Sequence, residues 1–311
     1  NWTTELNYFT QDRSKILWAR SASIPGSTGI VNGYDSTLVP EENIGQMKSS
    51  GIEATLGYSH QGDFSWGVSG NFTYAKNKVV YIDEASGTLD YQRQSGRPYN
   101  TYLLYDAIGI YQTQDQVDST PHVTGAQPGD LIYRDVNGDG KITADDMTRS
   151  KYGNVPQMTF GLVADASYKN FDLSIVFSGQ AQVSQYVLPE SGTVGNFYSD
   201  WANNRWSPTN TGGTFPRVSD RSSSAVSGGL YRNNFWLNDA SFVRLKNVQL
   251  GYTLPSDILK DYGVSSFRIY TSAFNLFTLT KVKNYDPEGN SESAQFYPQQ
   301  KIINFGFNVQ F

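Results

Sequence analysis

The chain has 311 residues, a formal net charge of −5 and a charged fraction of 17%, against roughly 25% for a soluble globular domain. The acidic balance excludes the basic footprint that a phosphate backbone requires, so no nucleic-acid partner is expected, and the lack of cysteine excludes disulfides and thiolate metal sites. Aromatic residues reach 14%, yet no run approaches the ~18 apolar residues of a spanning helix, a combination that fits strands showing hydrocarbon only their alternate residues.

Asn1 to Leu6 reads as the interior of a strand with no signal peptide before it, so the expectation is that the upstream part of a longer protein is missing. Ile52, Ala54, Leu56 and Tyr58 then alternate with Glu53, Thr55, Gly57 and Ser59. A tight link over His60–Asp63 leads to a strand with Phe64, Trp66, Val68, Gly70, Phe72 and Tyr74 on one face. Its other face holds only Ser65, Gly67, Ser69, Asn71 and Thr73. A second hairpin pairs Met158–Tyr168 with Phe171–Phe177 across Lys169-Asn170. Its ionisable strand residues, Asp165 and Asp172, fall on the polar face. That placement is required if the other face meets lipid, where a charge at the midplane costs about 2–4 kcal/mol for Arg or Lys and less for Asp.

Within Phe242–Thr253 the apolar parity changes between Leu245 and Val248, which predicts a β-bulge near Lys246-Asn247 turning Arg244 and Lys246 away from lipid. Pro255–Gly263 reads as one or two helical turns, with Ser256 as cap and Gly263 as stop. Phe267–Thr278 is a strand whose faces are both partly apolar, so its orientation stays open. The last strand alternates Ile303, Phe305, Phe307, Val309 and Phe311 with Asn304, Gly306, Asn308 and Gln310. One of its faces suits hydrocarbon and the other suits water.

Compact connections (60–63, 169–170 and the helical turn) alternate with long polar ones over 17–43, 83–155, 185–234 and 281–299. Outer-membrane barrels put short turns in the periplasm and long loops outside, which places this C-terminus in the periplasm. Residues 83–155 hold either one very long outer loop or a loop with an extra strand pair near Leu89–Gln94 and Tyr102–Tyr111. The pair is the reading adopted, giving about ten strands within a range of about eight to ten. A soluble β-sandwich also alternates, but it would place charges on its solvent faces, where Phe64–Tyr74 and Ile303–Phe311 offer only Ser, Gly, Asn, Thr and Gln. The fold class is all-β: a portion of an antiparallel transmembrane β-barrel, forming one partial domain over residues 1–311.

The run from Asp135 to Asp146 matches D-x-[DN]-x-[DN]-G, with oxygen donors at Asp135, Asn137 and Asp139 and Gly140 for the sharp turn. Asp135, Asn137, Asp139, the Lys141 carbonyl and Asp146 would hold Ca2+, with Mg2+ as the alternative, and so pin the loop. An Asx-rich turn without metal is the other reading. No enzyme activity is expected: the imidazoles are His60 in a turn and His122 in a loop, neither in an HExxH or triad-like context. The loop from Phe197 to Trp206 mixes flat rings, amides, Asp and Arg. Tyr198, Trp201, Arg205 and Trp206 are its candidates for stacking on a sugar ring or a protein partner, unless the loop packs on itself.

Gln127-Pro128-Gly129-Asp130, followed by Tyr133, Asp135, Asn137, Gly138, Asp139 and Gly140, resembles the PGD…DxNGDG segment of SusC-like TonB-dependent transporters of Bacteroidota outer membranes. Tyr168–Leu173, Ala240–Pro255, Asn275-Leu276-Phe277, Tyr285-Asp286-Pro287-Glu288 and Asn43–Glu53 match further family motifs, with Ser50 where a Lys is usual. The resemblance spans essentially the whole chain. It implies that the complete protein carries a signal, a TonB box, a plug and a barrel of about 22 strands, this sequence being the C-terminal part of that barrel. It implies a SusD-like surface lipoprotein that closes over the barrel as a lid, and energised uptake of a glycan, or alternatively a peptide, when TonB pulls on the plug. A passive porin-like barrel and a surface adhesin or binding module are the alternatives. The terminal aromatic Phe311 matches the signal that barrel-assembly machinery recognises in similar barrels.

Overall fold

The computed structural model describes residues 1–20, 22–24, 26–28, 39–188, 198–218, 231–289, 297 and 299–311. The alternating segments form long strands, beginning with β1 (Trp2–Ala19), β2 (Glu41–His60) and β3 (Phe64–Tyr81). The next connection holds four short strands, β4 (Thr101–Tyr105), β5 (Ala107–Ile110), β6 (Leu131–Tyr133) and β7 (Met147–Gly153), and helix α1 (Gln114–Ser119). Then come β8 (Met158–Tyr168), β9 (Phe171–Ala181), the short β10 (Ser184–Tyr186), helix α2 (Ser199–Asn204) and the short β11 (Leu237–Asp239). The chain continues through β12 (Phe242–Thr253), helix α3 (Ser256–Leu259), β13 (Ser266–Phe274), β14 (Thr278–Thr280) and β15 (Ile302–Gln310). β1, β2, β3, β8, β9, β12, β13 and β15 are neighbours in that order, each antiparallel to the next, and β14 pairs with the start of β12. No described helix is long and apolar enough to cross a membrane.

The register shows how one wall serves two solvents. Directly paired residues in an antiparallel sheet point to the same side. Trp2, Tyr58, Val68, Ala164, Ile175, Val248, Ala273 and Ile303 are paired in succession, so one row crossing all eight long strands is entirely apolar. One residue along, the row Ser59, Gly67, Asp165, Ser174, Gln249, Ser272 and Asn304 is polar or glycine throughout. Near the compact turns the apolar side carries the row Phe64, Tyr168, Phe171, Tyr252, Ile269 and Phe307, and the rings of Phe171 and Tyr252 are 4.7 Å apart. This is the aromatic girdle of a barrel wall. Phe305 and Phe307 are 84% and 69% exposed, as the closing strand's alternation requires of a lipid face.

The predicted bulge is present: the pairing of β12 with β9 slips between Leu245 and Asn247. The orientation left open for β13 is set by the same register, with Ile269 outward and Arg268 inward on the Asp172 carboxylate at 2.9 Å. Tyr270 lies across Gly306 of the next strand, where an added Cβ would come within 2.6 Å of its ring; only glycine leaves room for that ring. At the β12–β13 turn Pro255, not Ser256, is the N-cap, because Ser256 already has helical geometry, while Gly263 stops the turn at φ +67°.

The expected extra pair of wall strands is not formed. Leu89–Gln94 is built of turns, and Tyr102–Tyr111 contributes β4 and β5, which join β7 and β6 in small separate sheets and do not pair with the wall strands. The physical reason is burial of neighbouring residues: Leu104 and Tyr105 are both at least 95% hidden, at 2% and 5% exposure, so no face is free for lipid. Among the described residues the wall therefore has eight long strands.

The long connections instead pack on each other as a cap at one end of the wall. Leu104, Tyr186, Trp201 and Trp236 form one core, and Tyr105, Val123, Leu131, Tyr133 and Ile142 a second. Asn234 ties the connections together, accepting from Ala107 N–H at 2.8 Å and donating to Asp106 at 2.7 Å. Asn233 is fully buried and donates to the Tyr231 carbonyl at 2.9 Å. Such satisfied buried amides specify one arrangement of loops, since any other would leave them unpaired.

Candidate functional site

Where the cap meets the polar side of the wall, a cavity of about 740 Å3 opens between β4, the end of β9, β10 and the segment Pro287–Gly289. The wall strand β9 supplies Gln180, whose amide donates to the Ala240 carbonyl at 3.2 Å. Gln185 on β10 is 5% exposed and donates to the carbonyls of Asp286 and Gly289 at 3.0 and 2.6 Å. With both amide protons so directed, its carbonyl oxygen is a buried acceptor without a partner among the described residues. On the other side, Tyr102 and Tyr186 flank the Arg232 guanidinium, which lies 5.7 and 4.5 Å from their ring centres. The lining thus combines amide, hydroxyl and aromatic groups with the charges of Arg232 and Glu288, suited to a hydrogen-bonding ligand.

The floor segment Asp286–Gly289 is held from the wall. Arg244, 1% exposed at the β12 bulge, holds both oxygens of Asp286 from its single Nη2 at 3.0 and 2.9 Å, pairs with Glu288 through Nη1, and donates from Nε to Thr278 at 2.8 Å. Lys246 reaches Glu288 at 3.2 Å. The bulge thus aims both cations at one loop. With its three nitrogens directed to three different residues, the planar guanidinium is fixed in one orientation.

In the aromatic loop, self-packing, one of the two readings open from the sequence, accounts for most of the side chains. Trp201 is 1% exposed in the cap core and donates its indole N–H to the Pro216 carbonyl at 3.1 Å, so it packs and does not face a ligand. Trp206 covers Gly129, whose φ of +90° and lack of a Cβ let the ring sit against the Pro128-Gly129-Asp130 turn, while Asp130 pairs with Arg217 at 2.8 Å. Arg205 donates to the Ala202 carbonyl at the end of α2. Tyr198 alone of the four keeps an open face, 38% exposed and edge-on to Tyr285 at 5.1 Å. Phe197 lies outside the described residues.

The Asp135–Asp146 loop is closed by its own side chains. Asp135 accepts from the N–H groups of Gly138 and Gly140 at 2.7 and 2.8 Å, Asn137 from Asp139 at 3.0 Å, and Asp139 from Lys141 at 2.8 Å. These oxygens keep further lone pairs, and hard oxygen donors are what calcium takes. Asp146 is fully buried and spends both oxygens on the N–H groups of Val136 and Thr143, each at 2.8 Å, so it frames the loop. Among the described residues no group of three or more Asp, Glu or His side chains forms a ready metal shell. Tyr91 and Gln92 donate to the carbonyls of Asp145 and Ala144, both at 2.7 Å, joining this loop to the connection leaving β3.

No family model matches the chain. TonB-dependent receptor P3 of Formosa agariphila is 31% identical over 338 aligned residues, which cover 98% of this chain and 32% of that protein. TonB-dependent receptor SusC of Bacteroides thetaiotaomicron is 28% identical over 287 residues, covering 87% and 27%. The solved structure of the RagAB peptide transporter superposes over the whole chain and 33% of its own, with a TM-score of 0.73 at 22% identity, a likeness of fold. The chain corresponds to a segment of a SusC-like TonB-dependent receptor. It spans about a third of the length of the receptors it matches. Its eight-stranded wall is that of an outer-membrane barrel, left open at the edges β1 and β15. Within this SusC-like segment, the sequence motifs at Ala240–Pro255 and Tyr285–Glu288 prove to be the two halves of one ion-paired latch. Gln180, Gln185, Tyr102, Tyr186 and Arg232 carried no sequence signal, since amides and tyrosines are everywhere in this chain.

Proposed function

We propose that the protein containing this segment imports glycans across the outer membrane, energised through TonB and working with a SusD-like lipoprotein over its long loops. The observation that supports this most is the polar cavity at the junction of cap and lumen face, lined by amide and hydroxyl groups and by two tyrosines that flank Arg232. A sugar presents alternating hydroxyls and flat apolar ring faces, which such a lining matches. In this reading the cap faces outward, the compact turns and the C-terminus lie in the periplasm, and Phe311 is the assembly signal. The test is uptake of labelled oligosaccharides by cells making the full-length receptor, with and without TonB. Uptake that persists without TonB sinks the importer in favour of a passive pore. Binding with no uptake leaves an adhesin, and TonB-dependent uptake of peptides alone moves the substrate class.

A calcium ion, or Mg2+ in its place, would sit on Asp135, Asn137, Asp139 and the Lys141 carbonyl, with Asp146 holding the frame, and would stiffen the loop that Tyr91 and Gln92 grip. Ligand binding to the folded state alone stabilises it by about 2.7 kcal/mol at a hundredfold excess over Kd. Calcium is therefore expected to raise the melting temperature of the purified receptor, and Asp135→Asn with Asp139→Asn to abolish the rise. An unchanged melting temperature in saturating calcium would eliminate the site.

A further inference from the structure

Charge returns abruptly to the outer face of the wall above its apolar band. On β3 the outward positions Phe64, Trp66, Val68, Gly70, Phe72 and Tyr74 are followed by Lys76 and Lys78, in unbroken register with β2 over Trp66–Lys78 and with β8 over Phe64–Tyr74. From Phe64 to Tyr74 the strand rises roughly 33 Å at about 3.3 Å per residue, which a barrel tilt of about 40° reduces to about 25 Å, the height of the hydrocarbon band. Tyr74 shares its row with Ile52 of β2 and Tyr8 of β1, so aromatic rings end the band. Within the band, the outward positions of β2, β3, β8 and β9 hold no Asp, Glu, Lys or Arg. Lys76 and Lys78 stand one and two rows beyond it, at the headgroup level on the side of the cap.

The pairing at that level is unfavourable by itself. Lys78 lies directly opposite Lys48 of β2, and like charges so placed repel across the strands. Lys76 is opposite Ser50, on the same outward side. Asp12 of β1 meets Lys48 at 3.5 Å, while Lys76 and Lys78 are exposed and make no ion pair among the described residues. Three ammonium groups thus share one carboxylate, in a chain of net charge −5.

We infer that Lys48, Lys76 and Lys78 form a site for the phosphate of an anionic glycolipid in the outer leaflet, whose acyl chains lie along Ile52, Phe72 and Tyr74 below. An ammonium offers three donors and no acceptor, which suits a phosphate between two lysines. The lysine stems lie along apolar surface while their charges stay in the headgroup layer. Each cation so placed contributes about fivefold in affinity for an anionic lipid. A soluble anion would meet only the lysines, whereas a lipid meets the lysines and the band beneath them. The choice of leaflet rests on the outward orientation of the cap proposed above.

The test is native mass spectrometry of the full-length receptor in detergent, with monophosphoryl lipid A and its dephosphorylated form as probes. The phosphorylated lipid is expected to bind more tightly, and Lys76→Gln with Lys78→Gln to weaken it by about tenfold or more while leaving the dephosphorylated lipid unchanged. Lys169→Gln, which removes a cation beside Tyr168 at the opposite end of the wall, is expected to change neither. Equal affinity for the two lipids, a double variant that binds as the parent does, or an equal loss with Lys169→Gln would overturn the site. So would displacement of the lipid by millimolar inorganic phosphate. Orientation is read separately, by labelling Ser119→Cys, exposed on α1 of the cap, with an impermeant maleimide in intact and in lysed cells. Labelling in intact cells without lipid discrimination removes the site and leaves the orientation standing. Labelling only after lysis overturns the orientation, and the outer-leaflet site with it, even where the lysines discriminate the two lipids in detergent.

Discussion

Trp201→Ala is expected to loosen the cap by about 3–5 kcal/mol, the cost of emptying a large aromatic site in a packed core. Trp201 sits edge-on to Trp236 at 5.7 Å and joins Leu104 and Tyr186, residues from connections far apart in the chain. The lost indole N–H also strands the Pro216 carbonyl. Hydrogen exchange on the full-length receptor is the measurement: amides of β4, β10 and β11 should lose protection together, while wall strands such as β8 and β9 keep theirs. Trp201→Phe should cost less. If protection is unchanged and only ligand binding weakens, Trp201 is a ligand contact after all and the packing account is wrong.

Arg244→Met is expected to be comparably severe, about 3–5 kcal/mol, because it leaves a buried carboxylate without its cation. The Asp286 side chain is 9% exposed, so water cannot replace the lost ion pair, whereas Glu288 at 34% keeps Lys246 and suffers less. Cleavage within residues 281–289 under limited proteolysis should rise sharply. The combination Arg244→Met, Asp286→Asn and Glu288→Gln should recover much of the loss, since removing the buried pair and its neighbouring carboxylate also removes their desolvation cost and leaves only the partly exposed Lys246 charged. A single variant as resistant as the parent would show that the latch does not hold the cavity floor.

The wall was legible because its physics is local. Side chains alternate with period two, and a strand between lipid and water must sort them on that period. Even the bulge at Lys246 could be read, since the apolar parity of Leu245 and Val248 cannot be reconciled otherwise. β13 could not be oriented, because Tyr270 is an inward aromatic whose place is justified only by Gly306 on the neighbouring strand. Residues 102–111 look like strand and are strand, but both sides of β4 are covered by other connections, a fact no window of that sequence contains.

What the sequence determined by itself was therefore the two-faced wall, including the run Ile303–Phe311, together with the sharp turn at Gly140, where φ is +79°. Only the tertiary structure decided which aromatics are core and which stay open, and which side chains enclose the cavity. The reason is sequence separation: Gln185 meets Gly289 across 104 residues and Asn234 meets Asp106 across 128. Contacts at that range depend on how the long connections fold over one another, and alternation, which speaks only of neighbours along one strand, carries no record of it.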